Sequence, residues 1–88
     1  MARRSAPWVN LRGGGRPDRF YAGGWIDHAG AEIAAIELRF ANGVTLSDDA
    51  EHDVALFITY ERVQLPATAV VLDSAADAIA QHRPFPEP

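Results

Sequence analysis

Residues 34–46 constrain the fold more than any other stretch of the chain. Ala34, Ile36, Leu38 and Phe40 alternate with Ala35, Glu37 and Arg39. Successive side chains of a strand point to opposite faces, so this alternation describes a strand with one apolar and one wet side. Asn42-Gly43 follows, the dipeptide best suited to a tight hairpin. A two-residue loop would set Phe40 opposite Thr45 and Arg39 opposite Leu46, mixing the faces. A three-residue loop over Ala41-Asn42-Gly43 sets Phe40 opposite Val44 and Leu38 opposite Leu46, which keeps all four apolar residues together. The expected geometry is a type I turn with Gly43 in the left-handed conformation, as a G1 bulge.

Other segments follow the same period. Residues 54–60 read as a strand in which Val54, Leu56, Ile58 and Tyr60 share one face, while Phe57 on the other suggests a central strand partly buried on both sides. Residues 69–72 form a further short strand, 73–77 a turn, and 78–81 the return. Residues 19–27 fit a first strand, with Gly23-Gly24 marking a bulge or bend. A helix over 74–82 competes with the last hairpin, because the stretch is alanine-rich and Ser74 with Asp77 resembles a capping pair. An isolated helix of that length is marginal, which favours the strand. Short strands separated by turns predict an all-β fold: a small antiparallel β-sandwich, or partly open barrel, of about six or seven strands.

The ends look different. Residues 1–17 are rich in Arg, Gly and Pro without periodicity, which predicts a flexible basic arm, the alternative being an extra strand folded onto the sheet. The β-domain is then expected over 18–83. A proline-rich tail over 84–88 is expected to continue no regular element. Charge follows the same division. Residues 1–19 carry five arginines against one acid, whereas 20–88 carry three arginines against eleven acids.

The chain has no cysteine, which excludes disulfides, thiol nucleophiles and Cys-based metal centres. No apolar run approaches the length of a membrane span, and the arginines near the N-terminus lack the apolar region of a signal peptide. As it stands the chain is expected in the cytoplasm, or outside it if it belongs to a longer membrane-anchored protein.

Candidate sites are few. Asp48, Asp49, Glu51 and Asp53 form an acidic loop, but a calcium loop counted from Asp49 puts Val54 where glycine is needed and Tyr60 where glutamate is needed. A solvated loop is the simpler reading. His28, His52 and His82 show no ligand spacing. Ser5, Ser47 and Ser74 lie in no nucleophile elbow. Gly13-Gly14-Gly15 is followed by Arg16-Pro17 rather than the Lys-Ser/Thr of a phosphate loop. Neither an enzyme, a cofactor nor a metal is therefore expected. Trp25, Phe40, Phe57 and Tyr60 are expected in the core, although they could line a groove. Arg3, Arg4, Arg12, Arg16 and Arg19, with Trp8 and Phe20 nearby, are the candidate nucleic-acid contacts.

Gly24-Trp25-Ile26-Asp27, Ala35 to Gly43, Asp53 to Phe57 and Pro66 to Asp73 together resemble a class of short all-β domains common in actinobacterial proteins of unassigned function. Some of these form the C-terminal, extracytoplasmic part of anti-sigma-factor-like regulators. The resemblance spans about residues 23–82 and rests on strands and turns, with no catalytic motif. It implies an Ig-like or related sandwich without enzymatic activity. The chain departs from that pattern twice, with Ala76 in place of a glycine in the last hairpin and His52-Asp53 in place of Asp-Gly. Such positions would oblige a non-glycine residue to adopt positive φ. The expected function is a non-catalytic module for protein interaction or homodimerisation through a sheet face or edge strand. The alternative is nucleic-acid binding through the arginine arm.

Overall fold

The computed structural model describes residues 7–16, 18–28, 30, 32–50 and 53–85. Its seven strands are β1 (Trp8–Arg16), β2 (Arg19–Asp27), β3 (Ala35–Phe40), β4 (Thr45–Asp48), β5 (Val54–Thr59), β6 (Ala67–Leu72) and β7 (Ala78–Phe85). Among the described residues there is no helix. One sheet has the order β1-β2-β5 and the other β4-β3-β6-β7, so the fold is a two-sheet all-β domain rather than a closed barrel. Every pairing is antiparallel.

The core lies between the sheets. Ile36, Leu38 and Phe40 from β3 and Ala67, Ala69 and Val71 from β6 face Val9 and Leu11 from β1, Phe20, Ala22 and Ile26 from β2, and Ala55 and Phe57 from β5. Phe20 and Phe40 meet edge to face across the two sheets, with centroids 5.0 Å apart. The small residues at 55, 67 and 69 let the layers close around these larger side chains.

The β3–β4 hairpin has the register that its pattern dictates. Leu38 stands opposite Leu46, Phe40 N–H donates to Val44 O at 2.8 Å, and Gly43 N–H closes the turn on Phe40 O at 3.0 Å. Gly43 has φ 94°, as the bulge requires. The last hairpin is a strand pair and not a helix. The Asp73 carboxylate accepts from the N–H groups of Ala75 and Asp77, both at 3.0 Å, and turns the chain back on itself. Ala76 sits there at φ 63°, which is incompatible with a continuing right-handed helix. Asp53 likewise takes φ 60° just before β5.

Three expectations are corrected. Residues 8–16, expected within a flexible arm, are a full edge strand paired with β2 from Trp8↔Asp27 to Arg16↔Arg19. Glycines on both strands permit the close approach: a Cβ on Gly24 of β2 would lie 1.8 Å from Asn10 O, and one on Gly13 of β1 would lie 2.2 Å from Tyr21 O. The tail expected to be irregular from residue 84 is strand through Phe85. Pro84 is accommodated because β7 is an edge strand whose pairing with β6 shifts register between Ala67 and Ala69, opposite Arg83 and Pro84. Finally, β5 is an edge rather than a central strand, with Phe57 facing inward.

Candidate interaction face

The two sheets differ sharply on their outward sides. The outer positions of the larger sheet carry Glu37, Arg39, Thr45, Ser47, Thr68 and Gln81. There Arg39 Nε and Nη2 both donate to Glu37 Oε1, at 2.9 and 2.7 Å, beside the buried Val70. A shallow concavity lined by Thr68, Gln81, His82 and Arg83 has no apolar side chain in its wall.

The outer side of β1-β2-β5 is apolar. Tyr21 is 56% exposed, Trp25 70%, Leu56 65%, Ile58 72% and Tyr60 74%. Alternation puts them there: Phe20, Ala22 and Ile26 point into the core from β2, which turns Tyr21 and Trp25 outward, and Ala55 and Phe57 do the same for Leu56 and Ile58. The register arranges them in rows. Arg16 and Arg19 lead, with Tyr60 just past the end of β5. Gly14, Tyr21 and Ile58 form the next row, then Arg12, Gly23 and Leu56, then Asn10, Trp25 and Val54, and finally Asp27, whose partner Trp8 turns its ring to His82 of the other sheet. The patch therefore extends about 27 Å along the strands and about 10 Å across them. Its centre is low, because Gly23 has no side chain. Leu56 leans over that gap: its Cδ2 lies 2.8 Å from where a Cβ on Gly23 would be.

Of the five sequence candidates for nucleic-acid contact, Arg3 and Arg4 lie outside the described residues. Arg12, Arg16 and Arg19 occupy outward positions of β1 and β2 and are exposed. The Arg19 guanidinium carbon is 5.9 Å from the centroid of the Tyr60 ring. The structure thus places three arginines on the same face as three aromatic rings, on strands and not on a free arm.

The aromatic residues expected together in the core separate. Phe40 and Phe57 are buried, but Trp25 and Tyr60 are on the exposed face. Tyr21, Leu56 and Ile58 were not singled out by sequence. The available signal was that residues 54–60 are apolar on both faces, so that one face must stay outside if the strand lies at an edge of a two-layer fold.

The acidic loop is dispersed. Asp48 accepts a hydrogen bond from Leu56 N–H, and Asp53 pairs with His28. Glu51 and His52 lie outside the described residues. Among the described residues no three His, Asp or Glu side chains converge as metal ligands. His82 on β7 reaches β1 instead, where its Nε2 is 2.8 Å from Val9 O and its ring stacks on Trp8 with centroids 3.8 Å apart. Comparison with protein-family models, curated proteins and solved structures finds no match.

Proposed function

We propose that this domain is a non-catalytic protein-interaction module working through the outer face of β1-β2-β5. The single observation that carries the reading is the clustering of Tyr21, Trp25, Leu56, Ile58 and Tyr60, all more than half exposed, on one sheet face. Scattered exposed apolar residues are ordinary, but a contiguous apolar patch rimmed by charge marks a surface meant to be covered. The composition also suits the role, because Trp, Tyr and Arg dominate binding energy at protein interfaces. The face is favoured over an edge strand. Both edges of this sheet are engaged by side chains from the other: Asp48 holds Leu56 N–H on β5, and His82 holds Val9 O on β1. Such contacts occupy backbone groups that strand addition would use.

A photo-crosslinking residue placed at Ile58, compared with one at Thr45 on the opposite face and one at Arg83 on the β7 edge, tests the reading. Protein adducts are expected at Ile58 alone. Equal labelling at all three positions, or none at Ile58, overturns it.

One observation favours a second reading. Arg12, Arg16 and Arg19 share the face with Tyr21, Trp25 and Tyr60, the combination that binds single-stranded nucleic acid by phosphate pairing and stacking. The aliphatic column of Val54, Leu56 and Ile58 and the net negative charge of residues 20–88 weigh for protein. Binding to an oligothymidine that falls steeply with salt would decide for nucleic acid.

A further inference from the structure

We infer that the face binds an acidic amphipathic helix of another protein. The inference rests on the face being the interaction surface and names the chemistry of its partner. The division of the face along its length carries it. The β1 column holds Asn10, Arg12, Gly14 and Arg16, and the β5 column holds Val54, Leu56 and Ile58, with Tyr60 just beyond. Between them β2 presents Tyr21 and Trp25 on either side of Gly23. The three inner rows thus end on an apolar side chain at β5 and on none at β1. Arg12, Arg16 and Arg19 are exposed, and among the described residues none of them forms an ion pair. Asp27 closes the far end of β2 and is already engaged, so it plays no part. A partner that covers this face must bring apolar side chains to β5 and β2 and carboxylates to β1 and the Arg16–Arg19 end.

An amphipathic helix has that two-sided form, with an apolar stripe flanked by charge. A helix about 10–12 Å across matches the three-strand width, and about 18 residues of it match the length. A helix also satisfies its own backbone. An extended segment laid flat would press unpaired N–H and C=O groups onto a largely apolar surface. Other occupants fit less well. A second copy presenting the same face would add three more arginines to it. A nucleic acid would set sugars and phosphates against Val54, Leu56 and Ile58. An anionic membrane would extend past the face to the rest of the domain, where residues 20–88 carry eleven acids against three arginines. A single helix stays over the arginines, and charges further away than about 8 Å are screened.

Selection from a displayed library of helical peptides, about 18 residues long and randomised on every face, tests the inference against the full chain. Enriched peptides are expected to carry Asp or Glu along one flank of an apolar stripe. Their affinity is expected to fall about tenfold or more in Ile58→Ser and in R12Q/R16Q, and to weaken with salt. In R12E/R16E, replacing the peptide carboxylates by lysine is expected to recover most of the loss. Circular dichroism verifies that each variant is folded. Enriched peptides that need Ile58 but show no excess of acid overturn the inference and leave the face as the interaction surface. Peptides indifferent to Ile58→Ser overturn both readings. A selection that enriches nothing also overturns the inference. Ile58-dependent binding of an oligothymidine or of phosphatidylserine vesicles would then give the face to a nucleic acid or a membrane.

Discussion

The backbone N–H of Leu56 on β5 donates to the carboxylate of Asp48 on β4, which belongs to the other sheet. One acidic side chain thus joins the two layers at an edge and occupies a donor that would otherwise invite another strand. It also gives one carboxylate of the acidic run before β5 a structural task, that of holding the backbone. Replacing Asp48 by Ala removes the acceptor. The expected cost is about 1 kcal/mol, since the bond is solvent-exposed. Urea denaturation measures the loss, and light scattering should show new aggregation through the opened β5 edge.

Ala76 occupies a left-handed conformation, with φ 63°, in the exposed turn before β7. A Cβ in that region costs about 1 kcal/mol relative to glycine. Ala76→Gly is therefore expected to stabilise the domain, raising Tm by about 4–8 °C per kcal/mol recovered in a chain of this size. Ala76→Val should lower it. Differential scanning calorimetry on the three proteins reads both signs.

Gly24→Ala should do the opposite of Ala76→Gly. The added methyl would fall 1.8 Å from Asn10 O, and that atom is backbone, so only a separation of β1 from β2 relieves the clash. A loss of about 1–3 kcal/mol is expected, the usual range for overpacking. Amide hydrogen exchange should show β1 losing protection before β3 or β6.

Leu38 and Ile58 are both aliphatic strand residues, yet they should behave oppositely. Leu38 is fully buried between the sheets, so Leu38→Ala is expected to cost about 2–5 kcal/mol. Ile58 is exposed, and Ile58→Ser should change monomer stability by no more than about 0.5 kcal/mol. The same Ile58→Ser should weaken binding at the face. Chemical denaturation under dissociating conditions, beside a binding measurement, separates the two effects.

Much of the architecture was legible because local chemistry dictates it. The β3–β4 register follows from keeping Leu38, Phe40, Val44 and Leu46 on one side, and Gly43 follows from the turn. The positive φ of Ala76 and Asp53 was not dictated by local chemistry; only the resemblance implied glycine's place at those positions. β1 was not legible. Its three consecutive glycines have the composition of a flexible arm, and the need for Gly13 and Gly15 appears only once β2 lies against them. The turn at Asp73 was legible although its neighbours also suit a helix, because a helix of that length is marginal on its own.

The sequence by itself determined that residues 54–59 are a strand with Val54, Leu56 and Ile58 on one face and Ala55 and Phe57 on the other, because alternation is a local property of the backbone. Which face turns inward was decided by the tertiary structure. Both faces are apolar, so burial pattern alone cannot choose. The layers select the thinner set, Ala55 with Phe57, to fit beside Phe20, Phe40 and Leu38, and β5 ends at an edge with its aliphatic face uncovered. The same placement gathers Tyr21, Trp25 and three arginines beside it, from strands that in sequence look like an arm and a glycine-broken first strand. The exposed apolar face is thus a product of strand order, which no local pattern in the chain records.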